Sequence, residues 1–279
     1  MVFIIGELSS RFFELKTQTV DFLTSDNQGF YSNKPNSTGN YVFGKFPNIH
    51  KTKFHFNDIG FNTPLDFKDF NEKKITIAFL GDSFVESYNV NYYDSFSSIL
   101  MNQSEVYQSY DFGVSGYNME DYIWIYKKYD LEKFDHVFLI PKTNDFTNSG
   151  NRIKYNPSKE KYRAFLKYFH FLNYLNYNHN IFKTINELFK KKLNRAVKKN
   201  EFVLNKNHRK FLSNTNLKIL PRDEETYMML KKEKIKNVIM INHDLKPFDF
   251  GQLNRHWNKN GRINVISTII QYISQENKD

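Results

Sequence analysis

The chain has 279 residues, 40% of them hydrophobic and 17% aromatic, enough to bury the core of one large α/β domain or two small ones, which excludes wholesale disorder. It contains no cysteine, so disulfides, thiolate nucleophiles and Cys-ligated zinc are excluded, although the compartment is not fixed by this. The net charge of +10 is uneven: between Asn151 and Leu220 seventeen Lys/Arg stand against Glu160, Glu187 and Glu201, so this stretch carries +14 and the rest of the chain −4, and the basic character belongs to one insert.

The N-terminus, MVFIIGELSSRFFEL, has only five apolar residues before Gly6 and Glu7. A membrane span needs about 20, and a signal peptide needs an apolar core of about 7–15 after a basic start. Phe3, Ile4, Leu8, Phe12 and Leu15 fall near helical spacing, which predicts an amphipathic first helix; the other reading is the stub of a membrane anchor. Residues 20–72 are rich in Asn, Asp, Gly and Pro and read as long loops with short strands at Tyr41–Phe43 and Lys53–Phe56. From there the pattern alternates: a strand in ITIAFL, a helix from Tyr92 to Met101, a strand over 106–113, a helix from Met119 to Tyr129 and a strand over 135–141. Such alternation predicts βαβ units and a parallel sheet. In the basic stretch, Phe165, Tyr168, Phe169 and Leu172, and then Phe182, Ile185, Phe189, Leu193 and Ala196, keep helical spacing. The α/β pattern resumes with a strand over 217–220, a helix from Glu224 to Lys234, a strand over 237–242 and a last helix from Gly261 to Ile273, with Ile263, Ile266, Ile269 and Ile270 on one face. The chain thus divides into a lead-in (1–72), a first α/β portion (73–150), a helical basic insert (151–215) and a last α/β portion (216–279).

In a parallel sheet, sites gather at the C-terminal ends of the strands. The first strand runs out into Gly81-Asp82-Ser83, the second into DFGVSGYN with Gly113, Ser115, Gly116 and Asn118, and the third into PKTNDF with Asn144 and Asp145; His256 lies in QLNRHWNKNG before the last helix. Ser83 has two readings, an attacking hydroxyl held at a strand end or a plain helix N-cap. A serine, a glycine N–H, a side-chain amide and a histidine are the parts that acyl transfer requires, because a nucleophile needs a base and a developing oxyanion needs donors. Asp82 and Asp145 read as acceptors that fix loops, and Gly113 as the residue of a tight turn. Ser115 is not in a G-x-S-x-G elbow, because Tyr117 stands at the fifth position. His243 and His256 have no third ligand at useful spacing, so neither metal nor cofactor is expected. Trp257 either packs beside the histidine or lines a substrate pocket.

GDSF, GVSGYN, TND and HWNKNG, in that order, resemble the four blocks of the SGNH, or GDSL-type, hydrolases, over 74–146 and more loosely over 236–275. The resemblance implies a flavodoxin-like three-layer α/β sandwich around a parallel sheet. It implies Ser83 as nucleophile, His256 as general base, and an oxyanion hole of the Ser83 and Gly116 N–H groups with the Asn144 side chain. NDIGFNTP (57–64) is similar to the lead-in of bacterial members that act on polysaccharide acyl groups. The implied function is ester hydrolysis or O-acyl transfer, acetyl first, on a glycan or acylated sugar, a bacterial surface polysaccharide or its lipid-linked precursor. Two positions depart from the pattern. Lys142 replaces a glycine, where it would crowd the pocket or meet an anionic substrate. Asn254 occupies the triad-acid position, which leaves three routes open: substitution by Asp249 or Asp244, a Ser83–His256 dyad, or a weak or inactive relative serving as a binding module at a membrane or glycan-assembly complex. KKKLNRAVKK (190–199) supplies a solvated face or, across 182–210, a contact for an anionic membrane surface or glycan; no nucleic-acid module is visible.

Overall fold

The computed structural model describes residues 1–21, 23–45, 47–147, 152, 154–156, 165–179, 204–241 and 256–276. Helix α1 (Val2–Phe12) precedes two antiparallel hairpins, β1 (Leu23–Ser25) with β2 (Tyr31–Asn33) and β3 (Ser37–Lys45) with β4 (Asn48–Phe56). There follow β5 (Ile75–Gly81), α2 (Ser83–Glu86), α3 (Phe96–Met101), β6 (Tyr107–Gly113), α4 (Met119–Lys128), β7 (His136–Ile140) and α5 (Thr143–Thr147). The later elements are α6 (His170–His179), α7 (Lys206–Leu212), β8 (Leu217–Ile219), α8 (Glu224–Lys232) and α9 (Lys259–Glu276). The parallel sheet has the order β6-β5-β7-β8, and Val238 adds a parallel bridge to Ile219 at its edge. This is the doubly wound order of flavodoxin-like folds, with a helical layer on each face.

Alternation along β5 builds the two halves of the core. Ala78 and Leu80 face a cluster with Phe112, Met119, Ile123 and Leu230, whereas Ile77 and Phe79 face Phe96, Ile99, Val265 and Ile269. Six of the seven residues of β5 are buried, which is why the strand reads as a continuous apolar run. The last helix turns Val265, Ile266, Ile269 and Ile273 inward; Ile263, expected on that face, is at the surface.

Three other expectations are corrected. The two short strands of the lead-in are parts of one hairpin of two nine-residue strands, paired from Ser37↔Phe56 to Lys45↔Asn48; Thr52, Phe54 and Phe56 alternate inward and the polar residues between them face out. Among the described residues, the strand expected over 237–242 reduces to the Val238 bridge, since β8 is only three residues long. Most of the apolar stripe of α1 points to solvent, with Ile4, Leu8 and Phe12 63%, 63% and 81% exposed, while Phe3 meets the Phe169 and Phe171 rings. The helix docks through Phe3 and through its small and polar side. A Cβ on Gly6 would lie 2.8 Å from the Phe171 ring, and Glu7 accepts from the His170 and Phe171 N–H groups at 3.1 and 3.0 Å, capping α6. Among the described residues no helix is long and apolar enough to cross a membrane. Most of 182–210, including KKKLNRAVKK, lies outside the described residues.

Two buried features make the strand ends rigid. A Cβ on Gly113 would sit 2.3 Å from the Glu86 nitrogen and 2.6 Å from the Val85 carbonyl carbon, so β6 and α2 touch backbone to backbone. Beneath α3, Asp111 accepts from the Ser97 N–H at 3.2 Å and from the Ser97 hydroxyl. Burial pushes its carboxyl up to about 6, against those hydrogen bonds and the Arg262 charge.

Gly113→Ala should cost about 2–3 kcal/mol in urea unfolding, the scale of core overpacking; a loss below about 0.5 kcal/mol would mean that the approach of β6 to α2 is loose. Because folded Asp111 holds its proton to higher pH than an unfolded Asp at about 4, its stabilising contribution is complete below that value and is lost as pH rises through about 6. The melting temperature of Asp111→Asn relative to wild type should therefore shift in the variant's favour between pH 4.5 and 7 at constant ionic strength. A constant offset would contradict this.

Candidate active site

Ser83 opens α2 directly beyond β5, but it is not the cap. That role belongs to Asp82, whose carboxylate accepts from the Phe84 N–H at 3.0 Å. The Ser83 hydroxyl is left for another partner, and Ser83 Oγ lies 2.8 Å from His256 Nε2, across 173 positions of sequence. The plain N-cap reading of Ser83 is thereby displaced.

The two halves of this pair are held by separate devices. Arg262, fully buried in the first turns of α9, donates through Nη2 to the Phe84 carbonyl at 2.9 Å and to Asn89 Oδ1 at 3.3 Å. Asn89 in turn donates to the Trp257 carbonyl at 2.7 Å. The segment carrying the histidine is thus tied to the turn carrying the serine. The Phe84 and His256 rings lie 4.4 Å apart at 33°, and the Arg222 guanidinium stacks 4.0 Å above the Phe84 ring. Arg222 also clamps both Asp82 oxygens, at 3.1 and 3.0 Å, and faces Asp145 at 3.8 Å. Burial and the neighbouring Asp82 charge raise the Asp145 carboxyl, with Arg222 opposing. Asp145 Oδ2 accepts from the Lys142 N–H and Asp145 Oδ1 from Asn144 Nδ2, at 2.8 and 3.1 Å. Asp82 and Asp145 therefore fix the loops after β5 and β7 to each other.

Gly116 follows β6 and Asn144 follows β7, the strands on either side of β5, whose ends align at Gly81↔Gly113 and Gly81↔Ile140. Gly116 is exposed and has a φ of +85°, a conformation that costs a side-chain-bearing residue. Asn118 is the N-cap of α4 and forms a capping box with Asp121. Lys142 and Asn144 are exposed. Trp257 does not line a pocket: it is fully buried, edge-on to Phe84 and Phe96, so it belongs to the packing behind the histidine. Asn254, Asp249, Asp244 and His243 lie outside the described residues. Among the described residues no cluster of His, Asp and Glu could hold a metal ion.

Sequence reasoning passed over Glu86. It is completely buried one turn beyond Ser83, and burial raises its carboxyl. Oε1 accepts from Asn33 Nδ2 at 3.1 Å, and Oε2 accepts from the Ser115 N–H at 2.7 Å and from the Ser115 hydroxyl. Its main-chain carbonyl accepts from Asn62 Nδ2 at 2.6 Å. NDIGFNTP is thus a clamp on α2: Asn62 grips Glu86, while Asn57 Oδ1 accepts from the Ile59 and Phe61 N–H groups at 3.2 and 3.0 Å. The available signal was an acid one helical turn after the serine, in an otherwise apolar turn. Arg222, in a loop with no motif, gave none.

No protein-family model and no curated protein matches the sequence. In architecture the chain is similar to a member of the lipolytic protein G-D-S-L family from Veillonella parvula, at 15% identity, 71% of this chain, 98% of that chain and a TM-score of 0.36. It is similar to a lipase/acylhydrolase from Enterococcus faecalis at 13% identity, 72% and 96% coverage and a TM-score of 0.40. It is also similar to a psychrotrophic esterase from Pseudoalteromonas sp. at 9% identity, 74% and 100% coverage and a TM-score of 0.39.

Proposed function

We propose that the protein is a serine-dependent acyl-ester enzyme, acting by hydrolysis or by transfer of a small acyl group, acetyl first, on a carbohydrate. The observation that carries this reading is the 2.8 Å hydrogen bond between Ser83 Oγ and His256 Nε2, a nucleophile and base within reach at the C-terminal edge of a parallel sheet. The carbohydrate substrate is supported by the likeness of NDIGFNTP to the lead-in of bacterial members that act on polysaccharide acyl groups.

In this mechanism the Ser83 oxygen attacks the acyl carbonyl carbon while His256 Nε2 takes the hydroxyl proton. The carbonyl oxygen becomes an oxyanion and receives the N–H groups of Ser83 and Gly116 and the side-chain amide of Asn144. Collapse breaks the bond to the leaving alcohol, which takes the proton from His256, and an acyl-Ser83 remains. Water or a sugar hydroxyl, deprotonated by His256, then attacks that ester and frees Ser83. Hydrolysis and transfer share the acyl-enzyme and differ only in this second nucleophile. Glu86 acts at one remove, as a positioning residue, by holding Ser115 beside Gly116.

Fluorophosphonate treatment read by intact mass should give one adduct, absent from Ser83→Ala and His256→Ala. No adduct on the folded wild type would sink the enzyme reading in favour of a binding module. With p-nitrophenyl acetate, Glu86→Gln should lower kcat about tenfold at nearly constant KM, because a misaligned oxyanion donor acts on the transition state alone. A change confined to KM would place Glu86 in substrate binding instead.

A further inference from the structure

We propose that a cavity beside the Ser115–Gly116 loop, between the β1–β2 hairpin and α4, is a subsite for an anionic saccharide, a sugar unit carrying an acidic group. This rests on the reading of the site as one for acylated sugars and names the kind of sugar. The cavity measures about 540 Å³, within the range of small-molecule sites. Val114 and Tyr117, the residues flanking Ser115 and Gly116, form part of its wall.

Three features define the occupant. The first is an unsatisfied buried acceptor. Asn33 lines the cavity and is 2% exposed; its Nδ2 is committed to Glu86, while its Oδ1 has no hydrogen-bond partner. Buried acceptors are normally satisfied, and a sugar hydroxyl would satisfy this one. The second is unbalanced charge. Lys34 and Lys128 both line the cavity, and among the described residues neither has a carboxylate within ion-pair distance. Asp26, the acid in the wall, is already committed: Oδ1 accepts from the Gln28 and Phe30 N–H groups, both at 2.9 Å, and Oδ2 faces Arg152 at 3.7 Å. The charge left for a ligand is positive. The third is a wall of Trp124 and Tyr129 loaded with cations: the Lys128 ammonium lies 4.3 and 5.1 Å from their ring centroids and the Arg152 guanidinium 3.5 Å from that of Trp124. Burial lowers the pKa of that ammonium, so an anion beside it restores the charged form's balance. The lysines suit the acidic substituent, and Arg152, seated on the Trp124 ring, adds to the positive field beside it.

An occupant bonded to Asn33 Oδ1 lies one side chain from Glu86, whose other oxygen holds Ser115. Sugar binding and the alignment of the Gly116 donor therefore meet in one carboxylate.

Trigalacturonate and its methyl ester separate charge from shape. In titration calorimetry the acid should bind about tenfold more tightly than the ester, the scale of one charge-assisted hydrogen bond, and the difference should shrink with added salt. Lys128→Gln, and Lys34→Gln on its exposed loop, should each remove most of that preference, with folding checked by circular dichroism. Trp124 fluorescence should respond to the acid, the other tryptophan, Trp257, being fully buried. Equal binding of acid and ester, binding of neither, or an unchanged preference in both variants would overturn the subsite. Fluorophosphonate labelling of the wild type, run in parallel, keeps the two readings apart. Labelling without saccharide binding overturns the subsite alone, whereas acid-selective binding without labelling supports the subsite and overturns the ester chemistry.

Discussion

Burying the Glu86 carboxyl takes an acidic group wholly out of water, and the protein compensates by bringing three distant segments to it. Asn33 comes from the second strand of the lead-in, Ser115 from the loop after β6, and Asn62 from NDIGFNTP to the adjoining main chain. An unpaired polar group at such a depth is costly, so these segments cannot drift independently. The turn that carries Ser83 lies between this knot and the Arg222–Asp82 clamp. Gly113 lets β6 approach that turn at backbone distance. The candidate site is accordingly rigid from below, although several of its own residues stand at the surface.

Charge is distributed around the serine turn with the same economy. Arg222 neutralises Asp82 and faces Asp145, and also lies on the Phe84 ring, whose other neighbours include His256. Arg262 works on the opposite side, holding main-chain and amide oxygens instead of a carboxylate. Guanidinium groups suit both tasks, since a planar fork can satisfy two acceptors and stack on a ring.

Much of this was legible in the sequence because it is local. Apolar runs ending in GDS, DFG and PKTND gave the strands, their parallel order and the edge where Ser83 appears. His256 was found because a serine, a glycine N–H and a side-chain amide at strand ends call for a base, and HWNKNG supplies one before the last helix. What escaped notice depends on separation or on small residues. Glu86 meets Ser115 and Asn33 across 29 and 53 positions, and Arg222 reaches Asp82 across 140, distances over which no periodicity speaks. The orientation of α1 was hidden because, beside Phe3, its docking side is Gly6, Glu7 and Ser10, which a hydrophobicity pattern assigns to solvent. Trp257 looked like a candidate pocket wall for a related reason, since adjacency to a histidine in sequence does not say which side of the loop is core.

The contact between Ser83 and His256 joins residues separated by most of the chain, and this has a kinetic meaning. Closing so large a loop carries an entropic cost that the docking of α9 and of the His256–Trp257 segment must offset. During synthesis, Ser83 leaves the ribosome long before its partner exists, and the sheet it belongs to can pair while the histidine is still unmade. In the nascent chain the Ser83 hydroxyl would therefore stay without its histidine partner until the segment carrying His256 and α9 has been released and packed. The Ser83–His256 contact is in this sense a late one, made after the sheet beneath it.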